Sequence, residues 1–163
     1  MNIESKTSDE ALLVASFNLG DAVFGIDAHQ VQEVTKAGDI TCVHHAPAYV
    51  VGIRSLRGRI VTVIDLRIRL NLGRVEIGPE SRILIVEGLG EPVGLLVDQV
   101  ADMITVNAGD IQPAPSNVHG IQGRNLRGVC RGGRRLIALL DLSKVLQIES
   151  DAGHASVREG LPA

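Results

Sequence analysis

Aromatic side chains are nearly missing from this chain: Phe17, Phe24 and Tyr49 are the three rings in 163 residues, and there is no Trp. Single-strand nucleic-acid grooves and sugar sites lean on stacked rings, so both start at a disadvantage. Any core must be assembled from Val, Ile, Leu and Ala. Cysteine is as scarce, and Cys42 and Cys130 fit two free thiols in a reducing compartment. No run approaches the roughly 20 apolar residues of a membrane-spanning helix. Residues 1–10 hold no apolar segment of the kind a secretory signal carries, and the expected location is cytoplasmic. Lys6, Lys36 and Lys144 are the only lysines among 16 basic residues, so the positive charge is nearly all Arg. A net charge of −3 gives no global attraction to nucleic acid or anionic membranes.

What is present is a 45% apolar chain, too hydrophobic to stay disordered and long enough for one ordinary domain or two very small ones sharing a core. Leu13, Ala15, Phe17 and Leu19 alternate with Val14, Ser16 and Asn18, the period of a strand. Further strand-length runs are Val50 to Ile53, Ile60 to Ile64, Ile83 to Val86, Val93 to Val97 and Leu136 to Leu140. Turn signals separate them at Gly20-Asp21, Arg57-Gly58, Leu89-Gly90 and Gly132-Gly133. The segment His29 to Val34 reads as a helical insert with Val31 and Val34 on one face. The expected class is all-β with short helical inserts.

One pattern occurs twice. Leu19 to Asp27, Val31-Gln32-Glu33-Val34 and Gly38-Asp39-Ile40 return as Leu89 to Val97, Val100-Ala101-Asp102-Met103 and Gly109-Asp110-Ile111, at an offset of 69 to 71 residues. Each copy closes with a strand and Asp-Leu-x-x-x-Leu, beginning at Asp65 and Asp141. Leu56-Arg57-Gly58 and Leu126-Arg127-Gly128 are identical but not equivalent. Counting back from the two Asp residues puts Arg57-Gly58 at a hairpin tip and Leu126-Arg127-Gly128 inside a strand, with the second tip at Gly132-Gly133. Two copies imply two small five-stranded β-barrels around a shared aliphatic core, the first over about 11–78 and the second over about 80–147. Residues 1–10 and 148–163 are expected to be flexible ends, and Leu72 to Ser81 a linker.

Candidate chemistry is thin. Cys42, His44 and His45 cluster, yet no second ligand pair has metal spacing, and no cofactor is expected. Gly88-Leu89-Gly90 followed by Gly94 imitates a dinucleotide fingerprint with the wrong spacing and Pro92 inside it. Asp27, Asp65 and Asp141 sit where helix caps belong. Arg54, Arg57, Arg59, Arg67 and Arg69 in the first copy, and Arg124, Arg127, Arg131, Arg134 and Arg135 in the second, read mostly as a solvated rim. Arg57 stands apart, held out by a tight turn where a guanidinium can make a forked contact with an acidic group on a partner. An insert between two barrels can wall an aliphatic groove suited to an amphipathic helix.

These stretches resemble the CheW-like adaptor proteins of bacterial chemotaxis arrays. The likeness is carried by Phe17 to Val34 and above all by Gly52-Ile53-Arg54-Ser55-Leu56-Arg57-Gly58-Arg59-Ile60-Val61-Thr62-Val63-Ile64-Asp65-Leu66-Arg67, with Val93 to Asp98 and Ile111 to Pro115 extending it. It covers about residues 11–147 as one domain. It departs at Ser55 and Thr62, where the family usually has Asn and Pro, and in a 113–117 loop without the basic and bulky apolar residues of some members. The resemblance implies two SH3-like barrels, no catalytic activity and no cofactor. It also implies an adaptor, cytoplasmic at receptor arrays on the inner face of the membrane, that bridges chemoreceptor signalling tips to the regulatory domain of the CheA histidine kinase. Carried onto this chain, the receptor groove involves Val31, Glu33, Gly52, Ile53, Leu56 and Arg57, with Val100 and Met103 from the second copy; the kinase-contacting residues are not assigned. The pathway stays open between flagellar chemotaxis and one such as type IV pilus twitching. An Arg-rich nucleic-acid module is the rival from another class, disfavoured by charge and by the missing rings, and neither nucleic-acid binding nor direct membrane insertion is expected.

Overall fold

A computed structural model describes residues 10–146 apart from 75, 89, 116, 119 and 120; the expected flexible tail 148–163 and most of the N-terminal segment lie outside the described residues. Twelve strands form two five-stranded sheets and one short ribbon. The first half contributes β1 (Ala11–Leu19), β2 (Ala22–Asp27), β3 (Val31–Lys36), β4 (Val50–Leu56) and β5 (Arg59–Asp65), then a one-turn helix over Leu66–Arg69. The second contributes β6 (Arg82–Glu87), β7 (Pro92–Val97), β8 (Gln99–Asn107), the ribbon strands β9 (Asn117–Val118) and β10 (Ile121–Gln122), β11 (Leu126–Gly132) and β12 (Arg135–Leu140). A second short helix spans 142–146.

The sheets do not follow the halves. Sheet I runs β3-β6-β7-β5-β4 and sheet II runs β8-β1-β2-β12-β11, so the hairpin that opens each half is built into the sheet of the other. Neither sheet is the contiguous span, 11–78 or 80–147, that the repeat alone implies. The exchange is reciprocal: β1 and β2 in sheet II hold the places of β6 and β7 in sheet I, and both sheets join an exchanged strand in parallel, β12 with β2 and β5 with β7. The repeat extends to irregularities. The β3–β6 ladder slips between Val31 and Glu33, and the β1–β8 ladder slips between Ala15 and Phe17, which face Met103 and Val100.

This topology explains the unbroken apolar runs, because strands covered on both faces need no polar side. In β6, Ile83 and Ile85 join Val61, Val63 and Leu96 in a core private to sheet I, while Leu84 and Val86 turn to the core between the sheets. In β12, Ile137 and Leu139 join Val14, Val106 and Cys130 inside sheet II, while Ala138 and Leu140 face the shared core. All three aromatic rings lie in that shared core, and Phe17 and Phe24 stack across the β1–β2 ladder with centroids 6.3 Å apart.

Three details differ from the sequence reading. His29 to Val34 is not a helical insert: one 3-10 turn over Ala28–Gln30 gives way to β3, because β-branched Val31, Val34 and Thr35 find a ladder along β6. The second tip is Gly133-Arg134, since Gly132 pairs with Arg135. Several arginines are structural, not a solvated rim. Arg67 donates to Leu72 O and meets Asp98 Oδ2 at 3.3 Å, and that same oxygen accepts from Gly20 N, tying the two halves together. The three Asp residues do cap: Asp27 accepts from His29 N, Asp65 from Arg67 N and Ile68 N, and Asp141 from Lys144 N.

Candidate functional site

The most exposed constellation among the sequence-selected residues is the β4–β5 hairpin and the strand beside it. Leu56 pairs with Arg59, leaving Arg57 and Gly58 as a two-residue loop with φ of 54° and 81°. Two positive φ values define the turn that matches strand twist. Glycine takes that backbone freely, whereas Arg57 occupies it at roughly 1–2 kcal/mol. Its guanidinium Nη2 lies 3.4 Å from Glu33 Oε2 on β3, with the Arg57 side chain 78% exposed and that of Glu33 29%. An exposed pair of this kind adds about 0–1 kcal/mol at most. The pair therefore does not repay the strained turn through stability.

Close packing sets the rest of the hairpin. Thr41 and Ile53 exchange two backbone hydrogen bonds of 2.8 Å, which brings the 41 segment across β4. A Cβ on Gly52 would stand 2.2 Å from Thr41 O, so only glycine fits there. Gly52 is buried and offers no side chain to a partner; it shapes the hairpin. Leu56 packs half-buried on the private core of sheet I.

The structure brings Arg57 and Glu33 into direct contact and places Ile53 and Leu56 on the same hairpin. Val31 and Val100 hold equivalent places on β3 and β8, and both border the shared core between the sheets. Met103 is exposed on β8, an edge strand of the other sheet, and no hydrogen bond or ion pair among the described residues joins it to the Arg57 tip. Cys42 is exposed, and the Cys42-His44-His45 segment forms no strand, with His44 and His45 in a turn where His45 has a φ of 65°. No group of three His, Cys, Asp or Glu side chains among the described residues converges as metal ligands.

Sequence reasoning underrated Arg54. It donates to Lys36 O at 2.5 Å and to Thr35 Oγ1 at 3.3 Å, linking β4 to β3, the opposite edges of sheet I. Its position three residues before Arg57 was the available signal. In sheet II the matching edges, β8 and β11, meet where Ile104 lies against Gly132 and border an open groove of about 710 Å³ lined by Val106, Val129, Cys130, Arg131 and Leu136 among others.

Residues 13–150 match the CheW-like domain family. The chain belongs to that family. It is 33% identical over 142 residues to the chemotaxis protein CheW of Treponema pallidum, covering 85% of this chain and 84% of that one. Against the chemotaxis protein CheW of Bacillus subtilis it is 33% identical over 150 residues, 92% of this chain and 94% of the relative. The crystal structure of the scaffolding protein TtCheW from Thermoanaerobacter tengcongensis matches with a TM-score of 0.77 at 33% identity, covering 83% of this chain and 88% of that one. Among the described residues, no helix is long and apolar enough to cross a membrane.

Proposed function

We propose that this CheW-family chain is a non-catalytic adaptor that couples methyl-accepting chemoreceptors to a CheA-type histidine kinase in a bacterial chemosensory array, on the cytoplasmic side of the membrane. The observation that carries the reading is the Arg57 hairpin: a charged side chain held out on a strained two-residue loop, beside Glu33, in a chain of this family. The receptor's signalling tip is an acidic or amphipathic helical surface in this reading. Arg57 forks onto it, and Ile53 and Leu56 with Val31 and Val100 at the seam between the sheets provide the aliphatic wall. Met103, exposed on β8, widens that wall only where the receptor reaches across the seam.

Binding alone does the work. Two moderate interfaces repeated through an array become a stable lattice by effective concentration, and signal passes as a shift in kinase-state populations. Burial pushes the Cys130 thiol above its ordinary range, the opposite of what a nucleophile requires. The test is capture of the full chain by an immobilised receptor cytoplasmic fragment and, separately, by the regulatory domain of a CheA-type kinase. Arg57→Glu is expected to abolish receptor capture while its melting temperature and kinase capture match wild type. Undiminished receptor capture removes Arg57 from the site. Co-purification with one kinase from cells distinguishes flagellar chemotaxis from a pilus-type pathway.

A further inference from the structure

Sheets I and II repeat one plan, yet among the described residues only sheet I has its open edges tied by arginine side chains. On β4, Arg54 reaches Lys36 O and Thr35 Oγ1; at the tip of the same hairpin, Arg57 reaches Glu33. As the number rises on β4 it falls on β3, so the two contacts are successive rungs of one antiparallel stitch. Lys36 O, at the end of β3, also accepts from Gly38 N at 2.9 Å, and the Arg54 guanidinium lies over Gly38 at ordinary van der Waals distance from where a Cβ would be. In sheet II the place of Arg54, opposite Val61, is taken by Cys130, opposite Ile137; that of Thr35 by Ile104; and that of Arg57 by Gly133. The acid persists as Asp102 in the place of Glu33, but both arginine rungs are gone, and the edges meet through apolar side chains instead, Ile104 of β8 packing with Cys130 and lying against Gly132 of β11.

We infer that Arg54 is a positioning residue for receptor docking: its clasp on the end of β3 sets how the β4–β5 hairpin approaches that strand, and so sets where Arg57 and Glu33 stand. The inference rests on the receptor-coupling reading above. Arg54 is half-buried and its guanidinium is spent on β3, so it acts through Arg57 and does not touch the receptor itself. A guanidinium suits the task because Nη1 donates to both the carbonyl and the hydroxyl while the rest of the rigid planar group packs over Gly38, a surface that a lysine's compact ammonium lacks.

The experiment is a double-mutant cycle on the full chain, with an immobilised receptor cytoplasmic fragment as probe and the kinase regulatory domain as control. Arg54→Gln is expected to weaken receptor binding about tenfold, with kinase binding unchanged and Arg54→Lys intermediate. In an Arg57→Ala background, Arg54→Gln is expected to add nothing further. A general loss of fold would instead lower kinase binding and the melting temperature, and in that event the milder Arg54→Lys carries the cycle. Receptor binding by Arg54→Gln equal to wild type overturns the inference while leaving Arg57 in place. So does an undiminished tenfold loss in the Arg57→Ala background. If Arg57→Ala itself binds normally, the receptor reading fails first and takes the positioning role with it.

Discussion

Sheet I and sheet II are built from the same strand plan, wrap equivalent private cores and lean on one shared core, yet they end in different hairpins. In sheet I the tip is Arg57-Gly58, with a guanidinium on a positive φ and an acid 3.4 Å away. In sheet II the tip is Gly133-Arg134, where glycine takes the positive φ at no steric cost. Just past both tips stands an exposed aliphatic residue, Ile60 at 61% and Leu136 at 63%. The duplicated frame thus keeps what holds it together and varies what it presents. A strained arginine stands at one tip and a relaxed glycine at the other, and that is where the two sheets differ most in backbone.

The comparison can be broken most forcefully at its common base. Phe24→Ala empties part of the shared core from the sheet II side and is expected to cost about 3–5 kcal/mol. Urea unfolding followed by circular dichroism should show a single transition moved to lower denaturant; two separated transitions would mean that the sheets do not depend on one core. The next effect is smaller and pairs two glycines at equivalent bulges. An added Cβ meets Thr41 O at 2.2 Å at Gly52 and Gln112 O at 2.7 Å at Gly128. Gly52→Ala and Gly128→Ala should each destabilise by about 1–3 kcal/mol, Gly52→Ala by more. The reverse order would show that the segment crossing sheet I yields more readily than the one crossing sheet II.

The smallest effect separates Cys130 from Arg54, its counterpart. Burial raises the thiol pKa above its ordinary value of 9.0, so the folded state keeps its proton where the unfolded chain loses it. Stability from this source is complete below the unfolded pKa and is lost as pH rises from there through the folded value. Cys130→Val should track wild type at pH 7 and lose less melting temperature between pH 8 and 10. Identical pH profiles would mean that the thiol is better hydrated than its burial indicates.

Much of this was legible in the residues. The repeat, the Arg57-Gly58 tip, the strand placement of Leu126-Arg127-Gly128 and the three Asp caps all rest on local chemistry, where a turn or cap needs a particular residue at a particular place. The exchange of β1–β2 with β6–β7 was not legible. Equivalent strands carry equivalent patterns, so the apolar run Ile83 to Val86 satisfies either sheet, and the choice is made by non-local pairing. β3 was misread because Val31 and Val34 are spaced for a helix face, and only the ladder along β6 favours the strand. Arg54 was visible as one of a cluster, but its importance depends on Lys36 O, a backbone atom that no side-chain pattern reveals.

The central claim, that one of two equivalent hairpins reads the receptor, is tested most directly by reversing charge at each tip. Arg57→Glu and Arg134→Glu are compared for capture by the same immobilised receptor cytoplasmic fragment, with melting temperatures confirming that both fold. The account predicts that Arg57→Glu loses capture and Arg134→Glu retains it. Equal behaviour of the two variants, or loss in Arg134→Glu alone, would contradict it.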